Sequence, residues 1–563
     1  MTQRNCPPLN TSQTAETLAA DSSALPMTIP AQVFDAATRF ADRVAIEDNG
    51  WQILYRDLPQ RALTVCRAVM ASGINPGDRV AIWAPNNLHW VLAALGLQMA
   101  GAVLVPLNTR MKPTEAADIL RRSGTRLLFS IGDFLNTDYP AALLDYAPDC
   151  VEQLVVIGRD SQIASARLTQ LGQGVNDSHP AVVPVLAWET WLARAARVSP
   201  EAAMLRCEQV KPEDLADLMF TSGTTGKPKG VMGSHGACMQ AFRQFVAVLG
   251  LVTGDRYLVV NPFFHAFGYK AGWLSCLLSG ATIVPQQVFD AAEVLTRIEQ
   301  DKISVLPGPP TLYLSLLAHP DLPRADLSSL RAASTGAASI PPILIERMRT
   351  ELGFSTVTTA YGLTECGGLA SICDPAASDE VIALTSGQAI NGTEIAIKAS
   401  DGSWLPAGET GEICIRGFHI MQGYFDNPEA TAEAIDHAGW LHTGDLGALS
   451  AEGNLTISGR LKDMFIVGGF NCYPAEIEAQ LAEHPAIAQS AVIGVPDERM
   501  GEVGCAFVVL KPGMMLDSAD LILWCRERMA NYKVPRFVRL LEAMPVNASN
   551  KVVKSQLAAL FQP

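Results

Sequence analysis

The sequence predicts an α/β protein of at least two domains, and three observations carry this. From Phe34 to about residue 200, short apolar runs of strand length alternate with helical patterns, the mark of a parallel α/β layer. A chain of 563 residues is too long for one ordinary hydrophobic core. Residues 463–563 carry their own strand and helix signals and have the size of a compact α+β unit.

The elements follow in order. Residues 1–26 are polar and small and lack the apolar core of a signal peptide, so a disordered N-terminal extension is expected. Phe34 to Ala41 reads as a helix, Trp51 to Leu58 as a strand entering a helix, and Gly77 to Ala84 as a core strand. Val91 to Val105 is the longest apolar stretch, but Gln98, Gly96 and Gly101 interrupt it and it falls short of a bilayer span. A buried helix from Trp90 to Met99 followed by a strand accounts for it. Leu215 to Phe220, broken by Asp217, is a buried strand; Val231 and Met232 begin a second, and Ser234 caps a helix from about Gly236 to Val248. Farther on, Tyr473-Pro474 opens a helix with acids in its first turn, Val492 to Val495 and Cys505 to Leu510 are strands, and Leu521 to Met529 is a helix.

Composition narrows the function. Hydrophobic residues make up 48% and charged residues 18%, and 42 basic against 57 acidic side chains leave a net charge of −15. That excludes general nucleic-acid or anionic-membrane binding, so any anionic ligand must be held by local donors. Twelve cysteines are scattered without a C-x-x-C pair, and Cys366 and Cys373 are the closest two. They read as reduced thiols of a cytoplasmic protein, neither a zinc site nor a disulfide frame.

Between the two predicted strands lies Thr221-Ser222-Gly223-Thr224-Thr225-Gly226-Lys227-Pro228-Lys229-Gly230. Glycines let backbone N–H groups approach an anion, hydroxyls donate to phosphate oxygens, and lysines add positive charge. The loop is a phosphate cradle, though too short for a Walker A loop. A solvated surface loop is the plain alternative. In Thr359-Ala360-Tyr361-Gly362-Leu363-Thr364-Glu365, Tyr361 offers a flat face for adenine, Thr364 a donor for the α-phosphate, and Glu365 a hard oxygen ligand for Mg²⁺. A capped turn after a core strand would look similar.

These strings resemble the signature motifs of the adenylate-forming superfamily, which contains acyl-CoA synthetases, stand-alone adenylation domains and luciferases. The resemblance runs from about Phe34 to Leu557. It implies a large N-terminal domain of stacked α/β sheets with a small β-barrel-like subdomain, and a mobile α+β C-terminal lid. The corresponding division is residues 27–459 for the AMP-binding domain, 460–462 for the hinge and 463–563 for the lid, with Met27 as an alternative start.

The same resemblance implies residue roles. His265, in Phe263-Phe264-His265-Ala266-Phe267-Gly268-Tyr269, gates the acyl site. The small turn Gly336-Ala337-Ala338 lets adenine and the acyl chain close on the backbone, alongside Thr359, Ala360 and Gly362. Asp445 in Trp440-Leu441-His442-Thr443-Gly444-Asp445 takes both ribose hydroxyls, as a carboxylate can. Arg460 takes the ribose or phosphate, Lys462 is the pivot, and Gly468-Gly469 passes the pantetheine arm. Lys551 is the catalytic lysine, and Glu365 with Thr221 holds the metal. Lys270 reads as a surface lysine, with a contact to a polar substrate group as the alternative.

The activity implied is an acid–thiol ligase with ATP, Mg²⁺ and coenzyme A. A carboxylic acid is converted to acyl-AMP and pyrophosphate, and the acyl group then passes to CoA. No acid side chain stands beside His265 to pair a substrate ammonium, which favours a plain carboxylic acid. Phe263 to Trp273 with Pro307-Gly308-Pro309-Pro310 is similar to bacterial CoA ligases that activate the hydroindanedione (ring-C/D) propanoate of steroid breakdown. A medium- or long-chain fatty acid, then an alicyclic or aryl acid, are the alternatives. Loading of a carrier protein, a non-catalytic nucleotide-binding regulator, a luciferase-like oxygenation and a homodimeric assembly also stay open.

Overall fold

The computed structural model describes residues 25–144, 146, 149–158, 183–221, 228–336, 340, 342–467, 470–546 and 552–561. The expected N-terminal extension lies almost wholly outside them. Among the described residues, no helix is long and apolar enough to cross a membrane.

The long apolar stretch folds as expected. Helix Leu88–Met99 is buried on nearly every side, as an all-round apolar helix must be, and the Asn87 side chain accepts from Trp90 N to cap it. Strand Val103–Pro106 follows and enters a seven-stranded sheet. Its order is Lys229–Ser234, Leu215–Thr221, Val103–Pro106, Arg79–Trp83, Leu127–Ile131, Gln153–Ile157, Val185–Ala187. Only the first pair is antiparallel, so the predicted parallel layer is present. Ser234 caps helix His235–Leu249 as predicted.

A second layer is built on Arg256–Val259, Thr282–Pro285, Val44–Asp48 and Trp51–Leu54. Single parallel bridges through Val305 join it to Ala332–Gly336 and onward to Thr356–Tyr361. A third unit is antiparallel throughout: Thr393–Lys398, Gly411–Gly417, Leu441–Leu449 and Leu455–Arg460. The C-terminal sheet contains Phe465–Val467, Ile487–Asp497, Gly501–Leu510 and Phe537–Leu540 around its own core of Phe465, Ile477, Leu481, Val492, Phe507 and Leu521. The fold is thus mixed α/β, with a large N-terminal and a smaller C-terminal domain.

Element boundaries shift where caps decide them. The first helix is Ile29–Arg39, not Phe34 to Ala41, because the Thr28 hydroxyl accepts from Ala31 N and Pro30 suits the first turn. The late helix is Ser518–Arg526, started by the Asp517 side chain on Ala519 N.

One expectation is corrected. Lys270 is not a surface lysine: it is 1% exposed and lies in a wide π-type turn, Tyr269–Leu274, with every residue buried. Its ammonium stands 3.2 Å from Asp217 Oδ2 and 3.3 Å from Oδ1. The polar break in the strand Leu215–Thr221 is the counter-charge. Burial opposes charge on Lys270, but the Asp217 carboxylate outweighs it and holds the ammonium above the ordinary lysine range. Gly233 leaves room for this, since a Cβ there would lie 2.7 Å from Asp217 Oδ1.

Two predictions follow from this core. Lys270→Met strands a buried carboxylate and lowers stability by about 3–5 kcal/mol, and adding Asp217→Asn restores most of it; urea unfolding of the three variants measures the difference. Burial also depresses His235 and His419 to about 4, and His235 Nδ1 accepts from Ile29 N at 3.4 Å. Between the unfolded value near 6.5 and about 4 the unfolded chain binds more protons. Stability therefore falls as pH drops through that window, by roughly 1.4 kcal/mol per pH unit per histidine. Urea midpoints taken from pH 7.5 to 4.5 must decline, and His235→Gln must remove part of the slope.

Candidate active site

Asp445 is the meeting point of three segments. Its Oδ2 accepts from the Tyr361 hydroxyl at 2.7 Å and its Oδ1 from Arg460 Nε at 3.1 Å. Tyr361 ends strand Thr356–Tyr361, Asp445 lies within Leu441–Leu449, and Arg460 is its register partner at the end of Leu455–Arg460. Tyr361 is 8% and Asp445 9% exposed. Burial first, then the neighbouring carboxylate, pushes Tyr361 well above the ordinary phenol range, so it stays a donor. Strand Leu441–Leu449 breaks register just before Asp445, where Gly444 sits at φ +69° and donates its N–H to Glu412 Oε1 at 3.1 Å.

Glu365 sits one short turn beyond Tyr361. The chain folds back tightly there, because a Cβ on Gly362 would lie 2.4 Å from the Gly368 carbonyl. Glu365 Oε1 accepts from the Tyr424 hydroxyl at 2.9 Å. The Lys229 ammonium lies 4.9 Å from the centre of the Tyr424 ring, and Lys229 pairs across the hairpin with Thr221. Burial first, then Glu365, pushes Tyr424 up, so it too remains a neutral donor. Glu365 and Lys229 therefore meet at Tyr424, with Thr221 on the strand beside Lys229; sequence reasoning missed Tyr424. Its signal was an aromatic ring directly after a glycine, just before the Asn427-Pro428 helix start.

The other candidates fall into place unevenly. Gly336 and Ala360 are register partners on adjacent strands, and a Cβ on Gly336 would press on the Ala360 carbonyl at 3.0 Å. Thr364 opens the short turn that carries Glu365. Thr359 is buried, its hydroxyl donates to the carbonyls of Ile382 and Thr385, and its own carbonyl accepts from Cys373 N. The Tyr361 hydroxyl is committed to Asp445, which fixes the ring whose face the sequence reading gives to adenine. His265 is exposed and its Nδ1 accepts from Phe267 N at 3.2 Å, capping the turn Ala266–Gly268. Lys462 is exposed in the turn Leu461–Asp463, between strands Leu455–Arg460 and Phe465–Val467. Ser222, Gly223, Thr224, Thr225, Gly226, Lys227, Ala337, Ala338, Gly468, Gly469 and Lys551 lie outside the described residues.

Chemically, this is a buried carboxylate, Asp445, and a half-buried one, Glu365, each oriented by a tyrosine hydroxyl. Asp445 suits vicinal hydroxyls, and Glu365 suits a hard divalent cation beside a basic, hydroxyl-bearing hairpin.

Comparison with known proteins identifies the family. Residues 33–425 match the family model described as AMP-binding enzyme, and residues 476–551 match that of the AMP-binding enzyme C-terminal domain. The chain is 45% identical to the 3-(7a-methyl-1,5-dioxo-octahydro-1H-inden-4-yl)propanoyl:CoA ligase of Rhodococcus jostii, covering 94% of this chain and 98% of the relative. It is 44% identical to the ligase of the same description from Mycobacterium tuberculosis, covering 95% and 99%. Among solved structures, the anthranilate CoA ligase AuaEII with anthranoyl-AMP superposes with a TM-score of 0.82 at 27% identity, covering 96% of this chain and 98% of that one. The chain belongs to the AMP-binding enzyme family, within the adenylate-forming superfamily, as one of its acyl-CoA ligases.

Proposed function

We propose that this ligase activates a hydroindanedione-type propanoate, the acid named for its relatives from Rhodococcus and Mycobacterium. The observation that carries the reading is 45% identity maintained over nearly the whole of both chains.

In the first half-reaction the substrate carboxylate attacks the α-phosphorus of ATP. A P–O bond forms to the acid, the bond to the β-phosphate oxygen breaks, and pyrophosphate leaves. Such a step depends on positioning and charge neutralisation. Asp445 holds the ribose hydroxyls, and Arg460 lies beside them. Glu365 fits Mg²⁺ because it is a hard oxygen donor oriented by Tyr424, and Thr221, the strand partner of Lys229, is the second ligand we assign; the ion, when bound, would neutralise phosphate charge. Lys551 stabilises charge at the α-phosphate and the attacking oxygen, and His265 orients the acid.

In the second half-reaction the CoA thiolate attacks the acyl carbonyl and AMP leaves. The lid, residues 463–563, turns on the hinge 460–462 about Lys462, Lys551 withdraws, and Gly468-Gly469 admits the pantetheine arm. Residues 27–459 form the body. The separate C-terminal core and the exposed turn at Lys462 support this division. Bacterial relatives and cysteines that are free among the described residues support a cytoplasmic enzyme.

AMP formation dependent on both ATP and CoA, measured across a panel of carboxylic acids, tests the substrate. The hydroindanedione propanoate must give the highest kcat/KM; a long-chain fatty acid or ferulate in first place overturns the assignment. Lys551→Ala must cut adenylation by about 10²-fold or more while leaving thioester formation from supplied acyl-AMP nearly intact. Asp445→Ala removes a charged acceptor and must lower kcat/KM for ATP by about 10²-fold, with the acid's own dependence changed far less.

A further inference from the structure

The antiparallel pair Gly411–Gly417 and Leu441–Leu449 places Cys414 opposite His442, and Glu412 two residues before Cys414 joins them. Glu412 Oε2 lies 2.8 Å and Cys414 Sγ 3.7 Å from the same ring nitrogen, His442 Nδ1. The three ligand atoms all fall within 4.8 Å of one another. Beyond the ring, His442 Nε2 faces Asp436 Oδ2 at 3.7 Å. None of these residues has a part in the chemistry described above.

We propose that Glu412, Cys414 and His442 form a binding site for a borderline-soft divalent cation of the zinc class, with water as the fourth ligand. The donors are a thiolate sulfur, an imidazole nitrogen and a carboxylate oxygen, the set zinc takes. Tetrahedral zinc with ordinary bond lengths puts sulfur and nitrogen about 3.5 Å apart and nitrogen and oxygen about 3.3 Å apart. The Sγ to Nδ1 spacing already matches, and Glu412 needs to withdraw by roughly half an ångström. Asp436 stands where metal-bound histidines usually keep a carboxylate, on the ring nitrogen that points away from the ion.

Access and charge also fit. Cys414 is fully buried, while the side chains of His442 and Glu412 are each 22% exposed, so an ion reaches the sulfur past them. Glu412 and Asp436 make the surroundings negative, with Lys398 the basic group nearby. Burial first, then these carboxylates, pushes the Cys414 thiol up to about 12. The metal-free site therefore holds a thiol, and binding expels its proton to solvent as the metal–sulfur bond forms. Glu412 Oε1 also accepts from Gly444 N, so the ion would brace the bulged strand segment that carries Asp445.

The test uses the reduced full-length protein, stripped of metal and titrated with Co²⁺ and then Zn²⁺ alone, without substrate. The expected result is one Co²⁺ per chain with a near-ultraviolet sulfur-to-cobalt charge-transfer band, displaced by Zn²⁺. Cys414→Ala and Cys414→Ser must both abolish the band. Asp436→Asn must weaken Co²⁺ binding by about 10–100-fold. Cys525→Ala, which alters a buried thiol in the C-terminal core, must keep the band. Absence of the band in the unaltered protein, its survival in both Cys414 variants, or its loss in Cys525→Ala overturns the proposal. Because no ATP, acid or CoA is present, failure here leaves the ligase assignment untouched.

Discussion

The site depends on a single carboxylate that two donors hold from opposite sides. Asp445 takes the Tyr361 hydroxyl on one oxygen and the Arg460 guanidinium on the other. Tyr361 ends the inner layer of the large domain, Asp445 belongs to the antiparallel sheet, and Arg460 is the last strand residue before the Leu461–Asp463 turn. Two sheets and the strand end that leads into the Leu461–Asp463 turn are thus tied through one side chain of about 9% exposure. A protein with a net charge of −15 cannot attract a nucleotide by its overall field. It needs local, oriented groups, and tyrosine hydroxyls that stay protonated supply the orientation without adding charge.

The same economy of charge runs through the body. Tyr424 does for Glu365 what Tyr361 does for Asp445, and Lys229 closes over its ring. Deeper in, Lys270 and Asp217 neutralise each other between the wide turn Tyr269–Leu274 and strand Leu215–Thr221. That strand ends at Thr221 and the turn follows directly on His265. The buried pair therefore ties the side that carries the phosphate-type hairpin to the side that carries the acyl-type motif. A buried ion pair adds little net stability, but removal of one partner is costly, so it fixes the register of the two elements.

Much of the fold was legible because burial writes itself into periodicity. The helix Leu88–Met99 and the parallel strands around it are apolar along most of their length, and burial on both sides suits such segments. The Ser234 cap was equally plain. The start of the first helix was less so, since Thr28 and Pro30 precede the apolar pattern instead of lying within it. Lys270 was misjudged for a related reason. A lysine in an apolar string reads as exposed unless its partner is known, and Asp217 lies 53 residues away.

Residue chemistry and local spacing determined a parallel α/β body and a hydroxyl- and glycine-rich loop after a buried strand, and the resemblance of its motifs to the adenylate-forming superfamily supplied the class. Those features are short-range, and steric and hydrophobic rules act on them within a few residues. Only the folded chain decided that Tyr424 orients Glu365, that Tyr361 turns its hydroxyl to Asp445, and that Cys414 faces His442 across two strands. Pairings over 28 to 84 residues are set by sheet register and by how whole layers pack, and no local pattern encodes them.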